Sequence, residues 1–327
     1  MRWRGQRESK NVEDRRGKGG GFGFPFPRGG MRFPGSGSRG RSGGIGIVGL
    51  LIILGLMMFF GVDPRAIMQG SGPGGQPTTF PDIRLPQSRP DATNFPVPGQ
   101  RQSAPVQRPQ TTSEDDLKRF VSVVLADTED VWRDLFARHD LRYRDPKLVL
   151  FSGGVRSACG RGMAAMGPFY CPLDEKVYID LVFYEELKNR FKAPGDFAQA
   201  YVIAHEIGHH VQKLLGIADQ VEAGKRRMSR TEGNALQVRM ELQADCFAGV
   251  WANRADRSRD IIEPGDIEEA LRAASAIGDD RIQRQTQGYV VPDAFTHGSS
   301  KQRVRWFTRG YESGKLDVCD SFNATQL

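Results

Sequence analysis

The chain has 327 residues and a formal net charge of +7, enough length for one sizeable core or two small ones. Residues 1–42 hold eleven Lys/Arg against three Asp/Glu, a balance of +8, which leaves the remainder near −1. The positive charge therefore belongs to the amino-terminal stretch and gives the folded part no nucleic-acid-binding character, so no nucleic-acid partner is expected.

Residues 1–42 are dominated by Gly, Arg and Pro, as in Gly21-Phe22-Gly23-Phe24-Pro25-Phe26-Pro27-Arg28. Such composition cannot bury a core, and a disordered basic tail is expected. Residues 43–62 are twenty consecutive uncharged, mostly apolar residues, the length of a bilayer-spanning helix. A signal peptide would have a shorter apolar region nearer the start and a small-residue cleavage site, which Met57-Met58-Phe59-Phe60 does not provide. The basic residues ahead of the span orient the amino terminus toward the cytoplasm. The expected location is the cytoplasmic (inner) membrane, single-pass, with the following domain periplasmic or extracellular. Residues 63–112 read as a linker, since ten of the nineteen prolines fall within 64–109, and Pro-rich chain is extended and semi-rigid.

Order is expected from Ser113 to the end of the chain. Ser113 and Asp116 resemble a capping box, and Phe120, Val124, Trp132, Leu135 and Phe136 follow at helical spacing. Leu148-Val149-Leu150-Phe151 and Val177-Tyr178-Ile179-Asp180 read as strands, with Gly-rich chain between them. Tyr178 and Ile179 could belong to an edge strand that pairs with an extended peptide, or to a core strand. Helices are expected near 197–215, 234–256, 266–277 and 300–312, with Asp266 as an N-cap after Pro264-Gly265. The fold class is α+β: a mainly helical domain with a small sheet.

Cys159, Cys171, Cys246 and Cys319 form no C-x-x-C pair, which argues against a zinc ribbon or a thioredoxin-type motif. An even number of cysteines in a translocated domain points to two disulfides. Of three possible pairings, Cys159–Cys171 closes a local loop and Cys246–Cys319 ties the tail to a helix; these are the favoured ones.

His205-Glu206-Ile207-Gly208-His209 carries the chemistry. Two His four apart on a helix project from one face and suit one tetrahedral zinc, while Glu206 is offset toward a metal-bound water. A catalytic zinc usually has three protein ligands and one open position. Gln212 and Leu215 exclude the H-E-x-x-H-x-x-G-x-x-H pattern. Glu241 and Asp245, four apart on a later helix, offer the third ligand and a hydrogen-bond partner for a ligand His. Glu241 is the first choice as ligand and Asp245 the alternative.

The chain resembles the bacterial membrane-anchored neutral zinc metallopeptidases of the YpfJ type, a gluzincin-like family with a zincin-like fold. The resemblance rests on Asn11 to Gly17, Ser157 to Gly160, Gly167 to Pro172, Ala204 to His210, Glu241 to Cys246 and Thr296 to Ser300. It implies that His205, His209 and Glu241 bind zinc and that Glu206 is catalytic. In related gluzincins a downstream His donates to the oxyanion; His297 could do so here, or be an ordinary loop residue. The expected function is zinc-dependent endopeptidase action on peptides or proteins outside the cytoplasmic membrane, with Glu206 as general base. The alternative is a zinc-stabilised, inactive envelope binding or scaffold protein.

Overall fold

The computed structural model describes residues 1–17, 113–163 and 167–327. They belong to one unit, Met1–Gly23 with Gln107–Leu327. The expected span at 43–62, the linker and the tail beyond residue 17 lie outside the described residues. Among the described residues, no helix is long and apolar enough to cross a membrane.

The first long helix, α1 (Ser113–Ala137), begins where expected. Phe120, Val124, Trp132, Leu135 and Phe136 are each at most 2% exposed, the buried stripe that helical spacing demands. Strands β2 (Lys147–Phe151) and β6 (Lys176–Asp180) pair in parallel. Leu148 to Leu150 and Val177 to Ile179 are buried without alternation, as in a sheet covered on both faces. Strand β5 (Phe169–Cys171) runs antiparallel to β6, and β3 (Gly154–Ser157) with β4 (Gly160–Met163) forms a separate hairpin. β6 therefore lies between β2 and β5. Tyr178 and Ile179 are core residues, and an edge-strand role for them does not hold because both sides of β6 are already paired.

The helices after β6 are α2 (Val182–Asn189), α3 (Asp196–Leu214), α4 (Ile217–Lys225), α5 (Arg230–Arg259), α6 (Asp266–Ala276), α7 (Asp279–Gln287) and α8 (Ser300–Ser313). Gly265, not Asp266, caps α6. α5 packs against both α3 and α8, and glycines set how closely. A Cβ on Gly208 would meet the Ala244 Cα and carbonyl oxygen at 3.0 Å; on Gly310 it would lie 2.0 Å from the Cys246 carbonyl oxygen. Larger residues would push these helices apart. Both favoured disulfides are present, Cys159–Cys171 and Cys246–Cys319. The second closes a loop with sequence separation 73, for which chain entropy predicts about 4 kcal/mol of stabilisation. Denaturation of the Cys246→Ser/Cys319→Ser protein should show a loss of that order; a midpoint equal to wild type would refute it.

The largest departure from expectation is at the amino terminus. Residues 1–17 are part of the domain, not a disordered tail. Strand β1 (Val12–Asp14) pairs in parallel with β2, with Val12 opposite Leu148. Its ladder continues through Leu148 N–H to the Asn11 carbonyl (2.9 Å) and Arg15 N–H to the Leu150 carbonyl (2.8 Å). Buried Glu129 accepts from Ser9 Oγ (2.5 Å) and Asn11 Nδ2 (2.8 Å). Trp3 packs edge-on against Phe120, and the Met1 ammonium donates to Asp196 at the start of α3 (2.7 Å). These specific partners offset the ordering cost that composition alone appeared to forbid.

A pH dependence follows. Burial raises the Glu13 carboxyl, but hydrogen bonds from Lys176 and Arg15 outweigh it and lower it to about 2. The Arg16 hydrogen bond holds Asp14 below the usual carboxylate range. Depressed carboxylates contribute stability that is complete above their unfolded pKa, here 4.5 for Glu, and is lost as pH falls through the folded value. Protection of the Arg15 and Leu148 amides against hydrogen exchange, relative to the intrinsic rate at each pH, should therefore fall between pH 4.5 and 2, ahead of the β2–β6 ladder. Parallel loss of both ladders would contradict this.

The sheet also constrains topology. Residues hydrogen-bonded as β1 and β2 lie on the same side of any membrane. A single crossing at 43–62 that left Met1 cytoplasmic and the domain outside is incompatible with β1 in this sheet.

Candidate metal centre

α3 supplies His205, Glu206 and His209, and α5 supplies Glu241 and Asp245. The Gly208–Ala244 approach lets the two helices face each other closely enough for their side chains to meet. His205 Nε2 lies 3.2 Å and His209 Nε2 3.4 Å from the same Glu241 oxygen, Oε2. Ligand atoms of these three residues all lie within 4.8 Å of one another. A tetrahedral zinc with bonds of about 2.0–2.2 Å separates its ligand atoms by about 3.3–3.6 Å. The set therefore fits zinc in spacing and in chemistry, with two imidazoles, one carboxylate and a position left open.

The surrounding hydrogen bonds aim the ligand atoms. Asp245 Oδ1 lies 2.9 Å from His205 Nδ1. Since ionised Asp can only accept, Nδ1 carries the proton and Nε2 faces Glu241. Gln212 does the same for His209. Its amide nitrogen donates to the Met240 carbonyl (2.7 Å) and Gln243 Oε1 (3.1 Å), so its oxygen must face His209 Nδ1, at 2.9 Å. Gln237 donates to Glu241 Oε1 at 2.8 Å, occupying the oxygen that does not face the imidazoles. Asp245 is thus turned to the Nδ1 side of His205, while Glu241 lies where the two Nε2 atoms converge.

Arg303 on α8 completes this layer. Its Nε and Nη2 donate to Asp245 at 2.8 and 2.9 Å, and Nη2 also reaches the Tyr201 hydroxyl at 3.1 Å. The Tyr201 hydroxyl in turn donates to Asp245 Oδ1 (2.5 Å). Arg303 and Asp245 are 2% and 0% exposed. Burial raises the Asp245 carboxyl, but Arg303 and His205 more than compensate and bring it to about 2. Burial disfavours charge on His205, while Asp245 and Glu241 raise it to about 9 without bound metal. Three members of this layer, Tyr201, Gln212 and Arg303, carry no short-range sequence signal: no spacing rule links residue 303 to residue 245.

Glu206 is 8% exposed, yet its carboxylate has no hydrogen-bond partner among the described residues. It lines a cleft of about 270 Å³ together with Val202, His205, Phe183, Phe191 and Ile277. His297 lines the same cleft, held by Asp279 Oδ1 3.2 Å from its Nδ1. His210 turns the other way. It is buried between the Tyr170 hydroxyl (3.0 Å) and the Arg144 carbonyl (2.6 Å), so it anchors β5 to α3. His139 is exposed beyond the end of α1.

The family model described as "Putative neutral zinc metallopeptidase" matches residues 1–322, a range that includes β1. A protein of Escherichia coli (strain K12), "Uncharacterized protein YpfJ", is 47% identical over 322 residues, 98% of this chain and 99% of the relative. An uncharacterized protein of Mycobacterium tuberculosis (strain ATCC 25618 / H37Rv) is 42% identical over 226 residues, 65% of this chain and 74% of the relative. No solved structure matches.

Proposed function

From the premise that the chain belongs to this neutral zinc metallopeptidase family, we propose that it is a zinc-dependent endopeptidase with Glu206 as its general base. The observation that carries the reading is the free, largely buried Glu206 carboxylate beside the converging His205, His209 and Glu241 atoms. A purely structural zinc site has no use for such a base and favours a closed ligand set.

Zinc held by His205, His209 and Glu241 would supply Lewis acidity, polarising a carbonyl and lowering the pKa of a water. Glu206 takes a proton from the attacking water and delivers it to the leaving amine. Asp245 and Gln212 hold the imidazoles in one tautomer, and Arg303 balances the charge of Asp245. His297, at the wall of the cleft, is placed to donate to the carbonyl oxygen as charge develops there.

Metal removal tests the reading. Chelation should abolish cleavage of an unstructured protein substrate, and stoichiometric zinc should restore it. Glu241→Ala should lose zinc, whereas Asp245→Asn should retain it with about 10–100-fold weaker affinity. Cleavage that survives complete zinc removal would overturn the proposal.

The site is proposed to act outside the cytoplasm, with residues 43–62 held at the cytoplasmic membrane without a single crossing between β1 and the rest of the domain. Two disulfides within the domain favour an oxidising compartment. With β1 in the sheet, residues 1–17 belong to that same compartment. Single cysteines placed at Glu8 and Asp219, both exposed, should react with a membrane-impermeant maleimide from the same side in intact cells. Labelling of position 8 only after permeabilisation, with position 219 labelled from outside, would refute the shared compartment.

A further inference from the structure

About 20 Å along α5 from Glu241, a spacing set by thirteen residues of helical rise, lies a second cavity. It measures about 540 Å³ and is walled by the ends of α1, α5 and α8. Its lining is unusually cationic: Arg138, Arg254, Arg257, Arg259 and Lys315 against Asp130 and Asp134.

The two acids are already matched. Asp130 pairs with Arg7 (2.7 Å), Arg259 (3.1 Å) and Arg133 (3.5 Å), and Asp134 pairs with Arg138 (2.7 Å). The cations are in excess. Arg254 uses Nε on the Gly314 carbonyl (2.7 Å), which leaves its two terminal nitrogens without a described partner. Arg257 and Lys315 have no described carboxylate partner at all. The Nε–H of Arg259 is buried and makes no hydrogen bond. Cations near helix C-termini are ordinary, because they offset the dipole. The Arg254–Gly314 bond serves that role at the end of α8, and Arg257 and Arg259 stand in the last turn of α5. Arg254, Arg257 and Lys315 nevertheless line one concavity with no described carboxylate partner among them, an arrangement that an anion shared between them would stabilise.

We propose that this cavity binds a phosphate group, held by Arg254, Arg257 and Lys315. Arg side chains match phosphate through paired N–H donors, and Lys adds a point charge. The carrier is either an anionic lipid headgroup or a soluble phosphate. The site is separate from the metal centre, and its occupancy does not depend on peptidase activity.

The test uses the full chain in neutral detergent, with Tm and ³¹P line width as readouts. Inorganic phosphate, short-chain phosphatidylglycerol and short-chain phosphatidylcholine are titrated separately. A response to phosphatidylglycerol alone identifies a lipid headgroup site; a response to inorganic phosphate as well identifies a soluble phosphate site. In both cases the Arg257→Gln/Lys315→Gln protein should bind about 10- to 100-fold more weakly, as expected for lost hydrogen bonds to a charged group. Both side chains are exposed, so this variant should fold, and its unliganded Tm checks that it does. No response to either anion, or an equal response from wild type and variant, overturns the proposal. An equal response to phosphatidylcholine overturns it too, because the binding would then be independent of net charge.

Discussion

Glu206→Gln is expected to lower peptide hydrolysis by about 10²–10⁴-fold while leaving zinc content unchanged. The substitution keeps the shape of the side chain and removes only its capacity to accept a proton. Nothing else would change, because the Glu206 carboxylate holds no other described residue in place. The three ligand atoms meet each other without it: His205 and His209 converge on Glu241 Oε2 at 3.2 and 3.4 Å. Zinc analysis and a single-turnover assay on the same preparation separate the two roles. Loss of zinc together with activity would make Glu206 a ligand or a structural residue. Full activity with zinc retained would remove it from the mechanism.

Arg303→Met is expected to destabilise the fold by about 3–5 kcal/mol, because it strands a buried carboxylate. Asp245 is 0% exposed and takes two hydrogen bonds from this guanidinium. Without it, Asp245 keeps the Tyr201 hydroxyl and His205 as partners but loses its countercharge. For a domain of this size the loss corresponds to a fall in Tm of roughly 6–20 °C. The double variant Arg303→Met/Asp245→Asn should recover part of it, since the neutral amide does not need a cation. A double variant as unstable as the sum of the two single variants would show that the pair is not coupled. The charge also bears on function. Arg303 acts through Asp245 on His205, so zinc affinity should fall in the single variant even where the protein remains folded.

The candidate site's grouping was legible in the sequence to the extent that it obeys local spacing. His205 and His209 lie one helical turn apart, so their shared face needs no knowledge of the fold. Glu241 and Asp245 repeat that spacing on a second helix, and the structure separates their positions: Glu241 faces both imidazole Nε2 atoms, and Asp245 faces His205 Nδ1. The cysteines paired as their loop lengths suggested. The buried runs in β2 and β6 were readable because a strand covered on both faces must be apolar throughout.

Other features depended on contacts between distant residues. β1 has a single apolar residue, Val12, within a stretch rich in Arg and Gly, and its partner Leu148 is far along the chain. Composition averaged over residues 1–42 predicted disorder because it could not register the partners waiting at Glu129, Lys176 and Phe120. Tyr178 likewise reads as edge or core with equal ease until β5 is seen on its other side. Tyr201, Gln212 and Arg303 become members of the site only when α3, α5 and α8 are packed together. The sequence by itself therefore determined which residues could bind zinc, since helical periodicity places them on one face. Tertiary structure alone decided how they are oriented and charged, because the hydrogen bonds that fix each imidazole and balance Asp245 come from helices that no local rule connects.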